Sequence, residues 1–76
     1  MVLIEIIIPE KNKKYFTSVN SDMTVRDLAQ SIGDLFRLKS PAVLFLGMAK
    51  NIKDELTLRD IGVKNGTGVL VTDGRF

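Results

Sequence analysis

The sequence predicts an α+β domain in which one amphipathic helix lies on one face of a mixed sheet, and three observations carry that reading. Val2 to Ile8 is an apolar, largely β-branched run interrupted only by Glu5. In SDMTVRDLAQSIGDLFRLKSP, apolar residues recur three and four apart at Val25, Leu28, Ala29, Ile32, Leu35 and Phe36, which is one stripe of a helix. Near the other end, VLVTDGRF opens on an alternating apolar pattern. A helix packed on a sheet is the arrangement that buries all three stripes together.

Each element follows from local chemistry. Glu5 must face solvent, so Leu3 and Ile7 share its side of the first strand while Val2, Ile4, Ile6 and Ile8 point inward. Pro9-Glu10-Lys11-Asn12 supplies a turn: Pro stops the ladder and Asn tolerates a left-handed backbone. Lys14 to Asn20 forms the second strand, antiparallel to the first, with Tyr15, Thr17 and Val19 on one face and Phe16 on the other. Thr24 is the expected N-cap of the helix with Asp27 three residues on, where a carboxylate meets free N–H groups and the positive helix end. Gly33 reads as a close-packing point or the loosening of the last turn rather than a hinge, and Ser40-Pro41 as the stop. Ala42 to Leu46 is a third strand closed by Gly47, and Ala49 to Lys53 a short fourth. Thr57 with Asp60 caps a one-turn helix that leaves at Gly62, Asn65-Gly66 is a turn, and Gly68 to Thr72 is the closing strand with Val69 and Val71 inward. The order is β-β-α-β-β-short helix-β.

The totals narrow the function. Seventy-six residues make one small domain, 1–76, and an apolar fraction of 45% with 26% charged residues is ordinary for a globular chain. Without cysteine there is no disulfide, thiolate metal site or nucleophilic thiol; without histidine there is no imidazole acid–base chemistry. No cofactor is expected. The net charge of +2 is spread among acids, so no nucleic-acid partner is expected, and Lys11-Asn12-Lys13-Lys14 reads as a solvated hairpin tip. The apolar start is short, contains Glu5 and lacks a basic leader, so neither a signal peptide nor membrane insertion is expected. The cytosol is the compatible compartment.

The order of elements resembles ubiquitin along the whole chain, through Ser21-Asp22 with Thr24-Val25 opening the helix, Leu44-Phe45 with Gly47, Lys53-Asp54, and Thr57-Leu58-Arg59-Asp60 followed by Val63. The resemblance implies the β-grasp, ubiquitin-like fold. Within that class, MVLIEIIIPEKNKKY and TLRDIGVKNGTGVLVTD are similar to the bacterial ubiquitin-like proteins of the YukD and EsaB type. That likeness implies a non-enzymatic cytosolic accessory of Esx-type (type VII) secretion, whose partner is a protein of the secretion machinery or a second copy of itself.

Conjugated ubiquitin-like proteins and sulfur carriers end in Gly-Gly, because the terminal carboxylate must pass a narrow slot that admits only residues without Cβ. This sequence contains no Gly-Gly and closes with Asp73-Gly74-Arg75-Phe76, so a modifier or sulfur-carrier role is the lesser alternative, beside a ubiquitin-like domain cut from a longer protein. Enzymatic readings fare no better. Asp54 and Glu55 are adjacent and point apart, Ser18, Ser21, Ser31 and Ser40 have no imidazole to activate them, and Gly62-Val63-Lys64-Asn65-Gly66 lacks the Gly-Lys-Ser/Thr ending of a phosphate loop.

Binding remains. By strand parity Leu3, Ile7, Phe16, Leu44, Leu46 and Leu70 cannot all face the helix, and an apolar group on the far side of the sheet marks an interface. The resemblance places Leu44 and Leu70 at the centre of the usual docking surface; Lys50, Arg59 and Lys64 are candidates for a polar rim, although rim charges are cheap to place.

Overall fold

A computed structural model of the chain describes residues 1–48 and 52–74. The elements are β1 (Val2–Ile8), β2 (Lys13–Val19), α1 (Val25–Phe36), β3 (Pro41–Phe45) and β4 (Thr67–Asp73), with one 3-10 turn at Pro9–Lys11. The sheet runs β2-β1-β4-β3: β1 and β2 form an antiparallel hairpin, β1 and β4 are parallel at the centre, and β3 returns antiparallel to β4. The hairpin turn is made as its residues dictate, with Pro9 opening the 3-10 turn and Asn12 closing it in the left-handed region at φ 51°.

Burial follows the parity of the strands. Ile4, Ile6 and Ile8 are fully enclosed and Val2 nearly so, while Val69 and Val71 face the same interior from β4. Across from them α1 contributes Val25, Leu28 and Ile32, and Phe45, Leu38, Leu58 and Val63 complete the core. Tyr15 of β2 and Phe36 of α1 close one flank, their ring centroids 6.0 Å apart. Burial makes ionisation of the Tyr15 phenol harder and raises its pKa.

The helix begins as its sequence directs: Thr24 is extended and its Oγ1 accepts the Asp27 amide at 3.1 Å. It ends earlier than Ser40-Pro41, at Phe36, because Arg37 turns left-handed at φ 58° and the amides of Arg37 and Leu38 both donate to the Gly33 carbonyl. Leu35 is a second correction. It sits at the margin of the apolar stripe on the β2 side, where none of the described strands covers it, and is 69% exposed.

Three further expectations shift. The third strand spans Pro41–Phe45, so Leu46 belongs to the following turn. Of the expected short strand Ala49 to Lys53, residues 49–51 lie outside the described residues, and Ile52 and Lys53 are irregular. The one-turn helix after Thr57 is a series of turns. Its capping box does form, with the Thr57 amide donating to Asp60 Oδ2 at 3.1 Å and the Asp60 amide to Thr57 Oγ1 at 3.0 Å, but the apolar run behind it is too short to propagate a helix. The box instead holds Leu58 in the core, where its amide donates to the Met23 carbonyl.

Candidate protein-binding face

The helix covers one side of the sheet, and every expected binding residue lies on or beside the other. Register fixes their arrangement. Lys14 stands opposite Ile7, Ile7 opposite Leu70 and Leu70 opposite Leu44, giving one row that crosses all the strands. Ile7, Leu70 and Leu44 are half-buried within it and form a continuous apolar centre. The neighbouring row runs from Phe16 to Glu5 to Gly68. Leu3 follows along β1, opposite Ser18.

Leu46 joins this second row from outside any strand. Its amide donates to the Gly68 carbonyl at 2.9 Å, and its side chain lies across Gly68, where a β-carbon would come within 2.9 Å of Leu46 Cδ1. The missing side chain of Gly68 is therefore the seat of Leu46, a relation that parity alone does not reveal. Phe16, Leu46 and Leu3 are the exposed part of the face, at 60%, 47% and 42%. Large apolar residues gathered on one side of a small domain are the usual mark of a contact surface.

Charge on the face is sparse and partly neutralised. Lys14 Nζ lies 3.6 Å from Glu5 Oε2, so the end of the apolar row carries an ion pair. Of the residues expected to form a polar rim, Lys50 lies outside the described residues. Arg59 is tied elsewhere, 3.0 Å from Asp22 Oδ1 and donating to Ser21 Oγ beside the start of α1. Lys64 is exposed in the turn that precedes β4.

The end of β4 is held from both sides. Asp73 accepts the Ser40 amide at 2.7 Å, its own amide donates to Glu10 Oε1 at 3.1 Å, and the Gly74 amide donates to the Ser40 carbonyl at 2.8 Å. The backbone amides of Ser40 and Lys39 favour the ionised Asp73 carboxylate and lower its pKa, with Lys39 and Lys11 adding favourable charge.

No family model and no curated protein sequence matches the chain; its likeness to known proteins lies in structure. The ubiquitin of Caldiarchaeum subterraneum superimposes with a TM-score of 0.80 at 19% identity, covering 99% of this chain and 95% of that one. The UBL domain of Plasmodium falciparum Dsk2 gives 0.77 at 19% identity, covering 96% and 97%. The ubiquitin domain of the mouse D7Wsu128e protein gives 0.74 at 26% identity, covering 99% and 76%. At these identities the likeness speaks for architecture, and it agrees with the parallel β1–β4 centre, the hairpin and the helix laid across them. The chain has the ubiquitin-like β-grasp fold.

Proposed function

We propose that this chain is a non-catalytic, non-conjugated ubiquitin-like module that binds a protein through the open sheet face centred on Leu44 and Leu70. The observation that carries the reading is the apolar row Ile7, Leu70 and Leu44, flanked by Phe16, Leu46 and Leu3. The YukD- and EsaB-like stretches of the sequence support a further reading of the module as a cytosolic accessory of Esx-type secretion, with a component of the secretion machinery as its partner.

Two observations support binding over chemistry. Among the described residues no polar or charged residue is fully buried and no group of acids gathers as a metal site, which favours a binding role. Conjugation uses a Gly-Gly segment that threads an enzyme slot, and residues 1–76 contain no Gly-Gly.

The test is an NMR titration of the labelled protein with the cytosolic domain of the type VII membrane component from the same genome. Amide shifts should cluster at Ile7, Leu44, Leu46 and Leu70, and vanish in a Leu44→Lys, Leu70→Glu variant, whose opposite charges face each other across β3 and β4 without repulsion. No shift, or shifts confined to another surface, overturns the assignment. Adenylate or thioester formation with ATP and a cognate activating enzyme overturns the non-conjugated part.

A further inference from the structure

The outer edge of β2 has backbone groups that no described strand uses. A strand residue points its N–H and C=O to the same side, and successive residues alternate. Leu3 fixes the phase: its amide donates to Asn65 Oδ1 at 2.8 Å and its carbonyl accepts the Gly66 amide at 2.8 Å, both on the β4 side. Leu3, Glu5 and Ile7 therefore turn their backbone groups to β4, and Val2, Ile4, Ile6 and Ile8 turn theirs to β2. Their partners Val19, Thr17, Tyr15 and Lys13 complete that ladder. The backbone groups of Lys14, Phe16 and Ser18 are left pointing out from the edge of the sheet, where among the described residues β2 has no neighbour on that side.

We propose that this edge pairs antiparallel with β2 of a second copy about a two-fold axis at Phe16. In that register the outward-facing residues meet one another: Phe16 opposite Phe16, Lys14 opposite Ser18 and Ser18 opposite Lys14, each pair exchanging two backbone hydrogen bonds. Moving the axis to Tyr15 or Thr17 loses a pair, and moving it to Lys14 sets lysine against lysine. Centring on Phe16 is thus the register with the most bonds and no like charges opposed.

The apolar residues beside the edge fit the same occupant. Phe16, 60% exposed, lies on the open face, so the two rings become cross-strand neighbours. On the helix side Leu35, 69% exposed, borders the groove formed with Tyr15, Thr17 and Val19, over the place where an added strand packs. An unpaired edge is a template for another strand, and its usual guards are lysines. Here Lys13 and Lys14 guard one end only, and the antiparallel pairing sends the two pairs of lysines to opposite ends of the joint.

This pairing shares Phe16 with the face proposed around Leu44 and Leu70 but uses neither of those two residues. Sedimentation equilibrium from micromolar to millimolar protein should show the mass rising from one copy to two. Phe16→Pro removes an N–H that faces outward, so it should keep the β1–β2 ladder and the fold while abolishing association. Ser18→Lys keeps the backbone and the Phe16 ring, sets lysine opposite Lys14, and should weaken association several-fold. Leu44→Lys with Leu70→Glu should associate as the parent does. Amide exchange at Lys14, Phe16 and Ser18 should slow with concentration, while Tyr15 and Thr17 stay protected throughout. A single-copy mass at millimolar protein, or association unchanged in both the Phe16→Pro and Ser18→Lys variants, overturns the proposal.

Discussion

Gly33 of α1 lies against the proline that opens β3: a β-carbon at Gly33 would stand 2.5 Å from Pro41 Cγ and 3.0 Å from Pro41 Cβ. A closed ring cannot rotate out of the way, so the helix and the strand approach this closely only because the residue is glycine.

Gly33→Ala therefore runs against its helix propensity. Alanine gains about 1 kcal/mol of propensity over glycine, while overpacking at a rigid neighbour costs about 1–3 kcal/mol. The net expectation is a loss of about 1 kcal/mol, or a fall of about 4–8 °C in Tm. Pairing it with Pro41→Ala should recover most of that loss, which a double-mutant cycle by thermal unfolding will read as coupling. Additive effects would show that the two residues do not constrain each other.

Gly68→Ala probes the other close approach. Leu46 Cδ1 is the far end of a flexible side chain, so it can swing aside, and alanine suits a strand better than glycine does. Stability should change by less than about 1 kcal/mol while the Leu46 methyl resonances move. Partner affinity should fall, since Leu46 leaves the second row of the face. A large drop in Tm with unmoved methyls would make Gly68 a purely structural residue.

These two glycines also show how far the sequence could be read. The strand parities were legible because a single Glu5 sets the phase of β1, and Val2, Ile4, Ile6 and Ile8 are indeed enclosed. The cap at Thr24 was legible because its chemistry is local. Close packing is one of two readings of Gly33 that the sequence allows, but its partner Pro41 and the seating of Leu46 on Gly68 are contacts between distant segments, which no local pattern encodes. The early end of α1 was hidden because Arg37 adopts a left-handed backbone that side chains seldom take, and nothing in its neighbours announces it. Leu35 was misjudged since periodicity defines a stripe but not the width of the sheet beneath it. The grouping of Ile7, Leu44 and Leu70 on one face was legible from parity, whereas the cross-strand row they make needed the register of β4 against both neighbours.

The Thr57 and Asp60 capping box should matter more than its exposed position suggests. It anchors the turn that holds Leu58 in the core, and Thr57 also forms a bridge with Thr24 at the start of α1. Thr57→Ala removes the acceptor for the Asp60 amide and should cost about 1 kcal/mol in urea unfolding. Thr57→Ser keeps the hydroxyl and should lie close to the parent. Equal losses in both would assign the effect to the Thr57 methyl group.

Asp73 predicts the acid behaviour of the end of β4. Its carboxylate accepts the Ser40 amide at 2.7 Å, and that bond with the Lys39 amide sets its folded pKa below the ordinary value. A depressed carboxyl pKa stabilises the fold fully above the unfolded value, about 3.9 for aspartate, and the contribution fades as pH falls through the lower folded value. The parent should therefore lose stability over that acid window, and Asp73→Asn should lose less across it while being the less stable at neutral pH. Carboxyl NMR titration should place Asp73 below ordinary aspartates, and exchange of the Gly74 amide, bonded to the Ser40 carbonyl, should quicken as Asp73 protonates. An Asp73 midpoint at the ordinary value, with the same acid slope in Asp73→Asn, would remove the clamp between β4 and the segment leading into β3.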